Sequence, residues 1–454
     1  RYTPGIDKKP WDSGELGYRR SEGAWLLEPE AVPMPVIEPE KRRSTFDEAQ
    51  LGYDEELARD EATRCTECGL CIEACPTHMD VPHYIEAIRE GELDEALRIL
   101  YDTNPFSETC GRVCTAHCQE VCSLKHRGEP IMIRWLKRYI TDRTAERRSE
   151  ILGLGKPVGK VLPGVAEATG LDPGTLVVQG GADAYIGIIG LGAVKPGRMA
   201  FITGSSHLML GHTDKGFYQE GIFGAFPECV MPGLYVVEGA QISSGSVLKW
   251  FTRRFVDGSY HEEARKRGLD LYDHLNRLAA DLPIGSEGLV LLNYWQGNRN
   301  PLVDYQARGI VWGLSLTHTP VHLYRAILEG VCYGTEHIMR YFGKAGFTAE
   351  EIFACGGATK SDLWMQIQSD VLGTPIYLTE EPNAPLLGGA ILASFGSGCH
   401  GSIEEAAESM VRIKKEITPD LENTGKYRFY VDKYIQTYPR IKELMHDMVR
   451  HQSG

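Results

Sequence analysis

A chain of 454 residues, 42% hydrophobic and 24% charged, has the balance of a globular protein with two or three cores. Its formal net charge of −14 argues against nucleic-acid backbones and anionic membrane surfaces as partners, because both select Lys- and Arg-rich patches. No apolar run approaches the roughly 20 residues of a membrane span, and Arg1 opens no recognisable signal peptide, so a cytoplasmic protein without membrane insertion is expected.

Residues 1–43 are rich in Pro, Glu and Arg without a sustained hydrophobic period, which predicts an extended arm. A Glu- and Ala-rich helical pattern over 53–64 leads into the first cysteines. Two short helices are expected around 81–90 and 92–101, split by Gly91 and stopped at Asn104-Pro105. An amphipathic helix starts near Pro130, with Met132, Leu136 and Ile140 on one face. The charged stretch at 141–150 marks a boundary, so a helical domain at 44–145 and a junction at 146–154 are expected. From 155 to 454, short β-rich runs such as TLVVQ, RMAFITGSSHLML, LYVVEGA and EIFACGG alternate with helical patterns, an α/β texture. A final helix is expected over about 426–451, and no internal repeat is present.

Eight of the twelve cysteines fall between Cys65 and Cys122. Cys65, Cys68, Cys71 and Cys75, followed by Pro76, form the CxxCxxCxxxCP run of bacterial ferredoxins, in which a tight loop offers three thiolates to one cubane and points the fourth elsewhere. Cys110, Cys114, Cys118 and Cys122 recur every four residues and complete eight thiolates, enough for two 4Fe-4S clusters. By analogy with two-cluster ferredoxins, Cys65, Cys68, Cys71 and Cys122 would hold one cluster and Cys75, Cys110, Cys114 and Cys118 the other. A pair of four-cysteine zinc sites is the alternative; zinc usually takes two CxxC knuckles, whereas a third cysteine followed by CP favours clusters. A disulfide framework fits poorly with a long chain whose other cysteines, Cys229, Cys332, Cys355 and Cys399, are scattered singly and are expected to be buried. His78, His117 and His126 could also ligate, although solvated or supporting histidines are commoner.

The segment 44–145, through FDEAQLGYDEELARDEATRCTECGLCIEACP, NPFSETCGRVCTAHCQEVC and PIMIRWLKRYITD, resembles the N-terminal iron–sulfur domain of the glutamate synthase small subunit and dihydropyrimidine dehydrogenase group. That resemblance implies electron relay between a flavin and a partner. In that group a dinucleotide-binding fingerprint follows at once; here GLGKPVG at 153–159 lacks the GxGxxG spacing and follows no strand. A flavoprotein or other redox partner chain is therefore expected to supply donor and acceptor.

Three Gly-rich turns follow strands in the second part, where glycine lets backbone N–H groups reach a phosphate. In GGADAYIG, Asp183 stands between TLVVQ and a helical pattern; its carboxylate suits a general base and equally a helix N-cap. ITGSSHLML is a hairpin whose Gly204, Ser205 and Ser206 either hold phosphate oxygens or make an ordinary tight turn. ACGGATKSDLW takes a strand through Gly356 and Gly357 into a helix whose positive end faces the turn, as a purely structural corner also would.

Taken in order, these segments, with YVVEGAQISSGSVLKWF, NYWQGNRNPLVDYQARGIVWGL and NAPLLGGAILASFGSG, resemble the C-terminal part of the FGGY carbohydrate kinases. The resemblance implies a ribonuclease-H-like fold of the actin-like ATPase superfamily over 155–454, with ATP and Mg as cofactors. It implies Asp183 as base toward a sugar hydroxyl, Gly204 and Ser205 at the ATP phosphates, Gly245 at the nucleotide, and Gly356, Gly357, Ala358 and Ser361 at adenosine. Those kinases close a cleft between two similar domains, and the first domain's DxGT-type phosphate loop is missing from residues 1–150. The expectation is a multidomain chain: a small all-α iron–sulfur domain, then an α/β kinase half acting on a pentulose-like sugar or polyol, with catalysis dependent on a lobe from elsewhere. A competing expectation is an electron-transfer subunit of an oxidoreductase complex, its kinase-like part a nucleotide-binding or docking scaffold. An accidental fusion near residue 150 would also explain the half missing on each side.

Overall fold

The computed structural model describes residues 30–42, 48–126, 128–144 and 152–453. Of the expected arm at 1–43 only 30–42 fall among them, and most of the expected junction, 146–151, lies outside. Two compact units divide the chain between Ile151 and Leu152.

The first unit is helical. Helix α1 (Glu55–Thr63) starts where the Asp54 carboxylate accepts the Leu57 N–H, and its acidic first turn suits the helix dipole. Helix α2 (Leu70–Ala74) is short; α3 (Val81–Glu90) carries Pro82 in its first turn and ends at Gly91, in the left-handed conformation of a helix stop. Helices α4 (Leu93–Thr103), α5 (Ser107–Val113), α6 (His117–Glu120) and α7 (Ile133–Arg143) follow. Tyr84, Ile85, Ile88, Leu100, Leu136 and Ile140 are buried in its core. At about 1.5–3 kcal/mol for each large apolar side chain removed from water, this packing is what holds short cysteine loops in place. The four-residue cysteine spacing does not run along one helix: α5 ends before Cys114, and Ala116 turns left-handed at φ +56° before α6. Residues 30–42 are not a free arm, because Met34 and Ile37 are buried, the Val32 N–H donates to Glu61, and the Tyr53 hydroxyl donates to the Val32 carbonyl.

The second unit opens with β1 (Pro157–Lys160), α8 (Pro163–Thr169) and β2 (Leu176–Val178), the two strands pairing antiparallel and largely exposed. Helix α9 (Asp183–Gly190) leads to β3 (Arg198–Thr203), β4 (His207–Thr213), β5 (Phe223–Pro227) and β6 (Tyr235–Gln241). Next come α10 (Gly245–Arg254), α11 (Gly258–Lys266), α12 (Leu271–Ala280), the antiparallel pair β7 (Val290–Leu292) and β8 (Ile310–Trp312), and the 25-residue α13 (Pro320–Lys344). The last elements are β9 (Glu351–Gly356), α14 (Asp362–Leu372), β10 (Ile376–Thr379), α15 (Ala384–Gly396), α16 (Ile403–Met410), β11 (Ile413–Ile417) and α17 (Leu421–Ser453).

Seven strands form one sheet in the order β11-β10-β9-β3-β4-β6-β5. Strands β3, β9 and β10 run parallel and the other pairings are antiparallel, the ribonuclease-H-like arrangement. Met199 and Phe201 of β3, with Ile352 and Ala354 of β9, face one core shared with α10, α13, α14 and α17. Ala200, Phe353 and Cys355 face the other, shared with α9, α15 and α16. Helices cover both faces, which is why these strands are near-continuous apolar runs in the sequence. Cys332 and Cys355 are buried as expected, but Cys229 is half-buried and Cys399 exposed. Cys399 lies in the Gly- and Ser-rich turn after α15, which has no apolar layer to cover it.

Candidate functional site

In the first unit the turn after α1 is pinned by a buried ion pair. Glu61 takes the Arg64 guanidinium and the Met132 N–H, each at 2.7 Å, while Arg64 donates to the Glu129 carbonyl at 2.7 Å. The loop beyond Arg64 is thereby held against the segment leading into α7. Cys65, Cys68, Cys71 and Cys122 line one cavity, walled by Val81, Ile85, Ile131 and Ile133; none of His78, His117 and His126 joins them. Four thiols lining one apolar-walled cavity are a donor set that fits a 4Fe-4S cubane. Burial pushes the Cys65 thiol up to about 12 and raises Cys71 as well. Burial acts on Cys68 too, yet hydrogen bonds from Ser123, the Leu70 N–H and Thr66 together hold its thiol below the usual value. The Glu67 N–H donates to the Cys65 sulfur at 3.4 Å, a contact that stabilises negative charge on a sulfur ligand.

The second set lies near α7. The Asn104 amide donates to the Cys110 sulfur at 3.2 Å, the Ala116 N–H to the Cys114 sulfur at 3.4 Å, and the Thr77 hydroxyl lies 3.4 Å from the Cys75 sulfur. Cys118 is pushed up to about 11, mainly by burial and then by Cys75 and Cys114. Cys118 is thus within electrostatic reach of both Cys75 and Cys114, and Cys110 accepts its bond from Asn104. Tyr84, fully buried, feels Cys118, Cys71, Cys75 and Cys65, members of both sets, and its hydroxyl donates to the Ile133 carbonyl at 3.3 Å. No sequence signal marks Tyr84, because a tyrosine on an apolar helix face is normally core.

In the second unit two Gly-rich turns meet at the carboxyl ends of β3 and β9. Gly204 closes the β3–β4 hairpin by donating its N–H to the Ser206 carbonyl at 2.8 Å. The Ser244 and Ser246 N–H groups donate to the Ser205 carbonyl at 3.2 and 3.1 Å, tying that hairpin to the start of α10. A Cβ at Gly245 would stand 2.4 Å from the Gly204 carbonyl oxygen, so the approach needs glycine. On the other side Gly356 has φ +99°, and a Cβ there would stand 1.8 Å from the Thr203 carbonyl oxygen. The Thr203 hydroxyl donates to the Cys355 carbonyl at 2.7 Å and accepts the Ala358 N–H at 3.2 Å, which clamps the two strand ends. Gly357 has open space around it, and Ser361 caps α14 by accepting the Trp364 N–H at 3.1 Å.

Asp183 is exposed as the first residue of α9, and Ala182, not Asp183, is the cap residue. Its carboxylate accepts the Ala184 N–H at 2.7 Å, and no cation among the described residues pairs with it. A carboxylate so placed can accept a proton from a hydroxyl brought to it. No hydrogen bond among the described residues joins Asp183 to the glycine turns. His207, at the start of β4, carries no sequence signal of its own: it is fully buried, edge-on to Phe201 at 5.0 Å and 5.5 Å from Trp364. Burial alone pushes its imidazole down to about 3.

Two family models match the chain. Residues 42–149 match dihydropyrimidine dehydrogenase domain II, 4Fe-4S cluster, and residues 199–397 match the C-terminal domain of the FGGY family of carbohydrate kinases. The chain joins a 4Fe-4S domain to an FGGY kinase C-terminal domain. Over 300 residues it is 34% identical to a ribulokinase of Halalkalibacterium halodurans, covering 64% of this chain and 53% of that protein. Over 288 residues it is 32% identical to a xylulose kinase of Bacillus subtilis, covering 63% and 55%. The solved xylulose kinase from Rhodospirillum rubrum shares 26% identity with a TM-score of 0.57, over 69% of this chain and 64% of that one. The chain therefore spans about half the length of the curated relatives it matches. No helix among the described residues is long and apolar enough to cross a membrane.

Proposed function

We propose that the FGGY domain is the nucleotide-binding half of a cytoplasmic sugar kinase, with ATP and Mg as phosphoryl donor and a pentulose-like sugar or polyol as acceptor. The 4Fe-4S domain holds two clusters and passes electrons to or from a partner chain. The relatives named ribulokinase and xylulose kinase support the substrate class. The observation that carries the kinase half is the pair of glycine-only contacts, Gly245 on Gly204 and Gly356 on Thr203, which leave bare backbone around one spot at the strand ends. Backbone N–H groups without Cβ atoms between them are what a triphosphate needs. In this reading Gly204 and Ser205 take phosphate oxygens, Gly245 lines the nucleotide, and Gly356, Gly357, Ala358 and Ser361 hold adenosine. Mg, when bound, neutralises charge on the phosphates. Asp183 takes the proton from the attacking sugar hydroxyl.

Phosphoryl transfer rests on positioning and charge neutralisation from both walls of a cleft, so this half alone binds nucleotide weakly and turns over poorly. A lobe that this sequence does not contain supplies the facing wall. The test is calorimetry with Mg-ATP, then sugar-dependent ATP turnover with a sugar-kinase N-terminal lobe supplied in trans. Asp183→Asn should lower turnover by about 10²–10⁴-fold while leaving nucleotide affinity unchanged. If no pentulose or polyol stimulates ATP consumption even with the lobe present, the kinase reading fails.

The half-length match favours one second reading: an electron-transfer subunit whose FGGY domain is a nucleotide-binding or docking scaffold. It requires visible absorbance that bleaches on reduction and returns on adding a redox partner.

A further inference from the structure

Helix α7 lays one face over the second cysteine set. Arg134 donates its backbone N–H to the Gln119 side-chain oxygen and its guanidinium to the Cys114 carbonyl, both at 3.2 Å. Further along, α7 packs so closely on α5 that a Cβ at Gly111 would stand 3.0 Å from the Arg138 Cα. Lys137 follows Arg134 by three residues, which places it on the same face, and it is buried. Its ammonium is within electrostatic reach of Cys75 and Cys118. Among the described residues no carboxylate pairs with it. At the first set, Glu67, whose N–H donates to the Cys65 sulfur, neutralises the nearby Arg89 in an ion pair.

A cluster on four thiolates gains a unit of negative charge on reduction, so an unneutralised cation beside it favours the reduced state. We infer that the Lys137 ammonium, buried on the helix face that Arg134 fastens to Cys114 and without a counter-carboxylate, raises the reduction potential of the second cluster above that of the first, making it the resting place of an electron in this domain. The inference rests on the two-cluster reading above. Each cluster takes up one electron, supplied in the test by dithionite, and no bond or proton changes hands.

The experiment is an EPR-monitored redox titration of the anaerobically reconstituted full chain and of its Lys137→Gln and Lys137→Arg variants. Two one-electron waves are expected in the wild type. Lys137→Gln should weaken reduction of one cluster tenfold or more, equivalent to about 59 mV, and leave the other in place; Lys137→Arg should restore most of the loss. Cys122→Ser, which disrupts the first cluster without touching Lys137, should keep the higher-potential wave. A Lys137→Gln titration superimposable on wild type, a shift shared equally by both waves, or a Cys122→Ser protein that keeps the lower wave overturns the inference. If Lys137→Gln assembles no clusters, the Cys122→Ser titration decides alone. Iron and sulfide analysis separates the two failures. Fewer than about eight irons per wild-type chain removes the two-cluster reading and the inference with it, whereas full occupancy with unshifted waves removes the inference alone.

Discussion

Alanine at position 356 would place a methyl group 1.8 Å from the Thr203 carbonyl oxygen, on a backbone at φ +99° and ψ −166°. That region of backbone space is essentially restricted to glycine and costs other residues about 1–3 kcal/mol. The short contact is with backbone, so relief requires β3 and β9 to part, at a further cost of about 1–3 kcal/mol. Parting them breaks the Thr203 hydroxyl's bonds to the Cys355 carbonyl and the Ala358 N–H. Gly356→Ala should therefore destabilise the FGGY domain by about 2–6 kcal/mol and abolish Mg-ATP binding. Gly357, the next residue, has nothing within 4 Å of a built Cβ, so Gly357→Ala should cost less than about 1 kcal/mol. Urea unfolding followed by tryptophan fluorescence reports on the FGGY domain through buried Trp364, while visible absorbance follows the cluster domain separately. A Gly356→Ala protein within about 1 kcal/mol of wild type, or a Gly357→Ala protein damaged as badly, refutes the reasoning.

Three further outcomes are expected. His207 stays neutral in the folded protein down to about pH 3, whereas an unfolded imidazole protonates below about 6.5. Its contribution to stability is therefore complete above pH 6.5 and falls as pH drops through that window, by about 1.4 kcal/mol per pH unit. His207→Phe should make the pH slope of urea stability shallower by one proton between pH 6.5 and 4.5, and an unchanged slope counts against the assignment. Arg325 and Glu329 form a buried ion pair at 2.9 Å, with Glu329 also accepting from the Gly285 N–H and the Ser286 hydroxyl. Arg325→Leu leaves that carboxylate uncompensated and should cost about 3–5 kcal/mol in the same urea assay; a loss below about 1 kcal/mol would mean the pair is not buried as described. Gly245→Ala should push the α10 turn off the β3–β4 hairpin and weaken Mg-ATP binding, and calorimetry showing unchanged affinity would detach Gly245 from the nucleotide site.

The signals legible in the sequence were local ones. The CxxCxxCxxxCP spacing, the Gly91 helix stop and the apolar runs of β3, β4, β6 and β9 each depend on residues a few positions apart. Strand β11, by contrast, is IKKEI with four of its five residues exposed; its charges look like loop and suit a sheet edge, where they discourage further pairing. The approach of Gly245 to Gly204 joins distant segments, so each glycine alone looks like an ordinary turn. Asp183 shows the same limit: base and cap were equally open until the backbone put Ala182 at the cap. Lys137 looks in the sequence like one more polar residue of an amphipathic helix, and its burial shows only once the helices are packed.

The partition of the cysteines can be decided by counting irons in paired variants. Regular spacing would align Cys110, Cys114, Cys118 and Cys122 along one continuous helix, but the left-handed turn at Ala116 breaks that stripe and Cys122 lies in the cavity of Cys65, Cys68 and Cys71. Variants at two ligands of one cluster should cost no more iron than either alone, whereas variants at ligands of different clusters should add. Cys65→Ser with Cys122→Ser should accordingly keep about four irons per chain, and Cys75→Ser with Cys122→Ser should keep almost none. If the second pair still holds one intact cluster, Cys75 and Cys122 share a site. The second site would then lack a thiolate from the ferredoxin-like run, and the electrostatic contact of Cys75 with Cys118 would have to be a contact between neighbouring clusters.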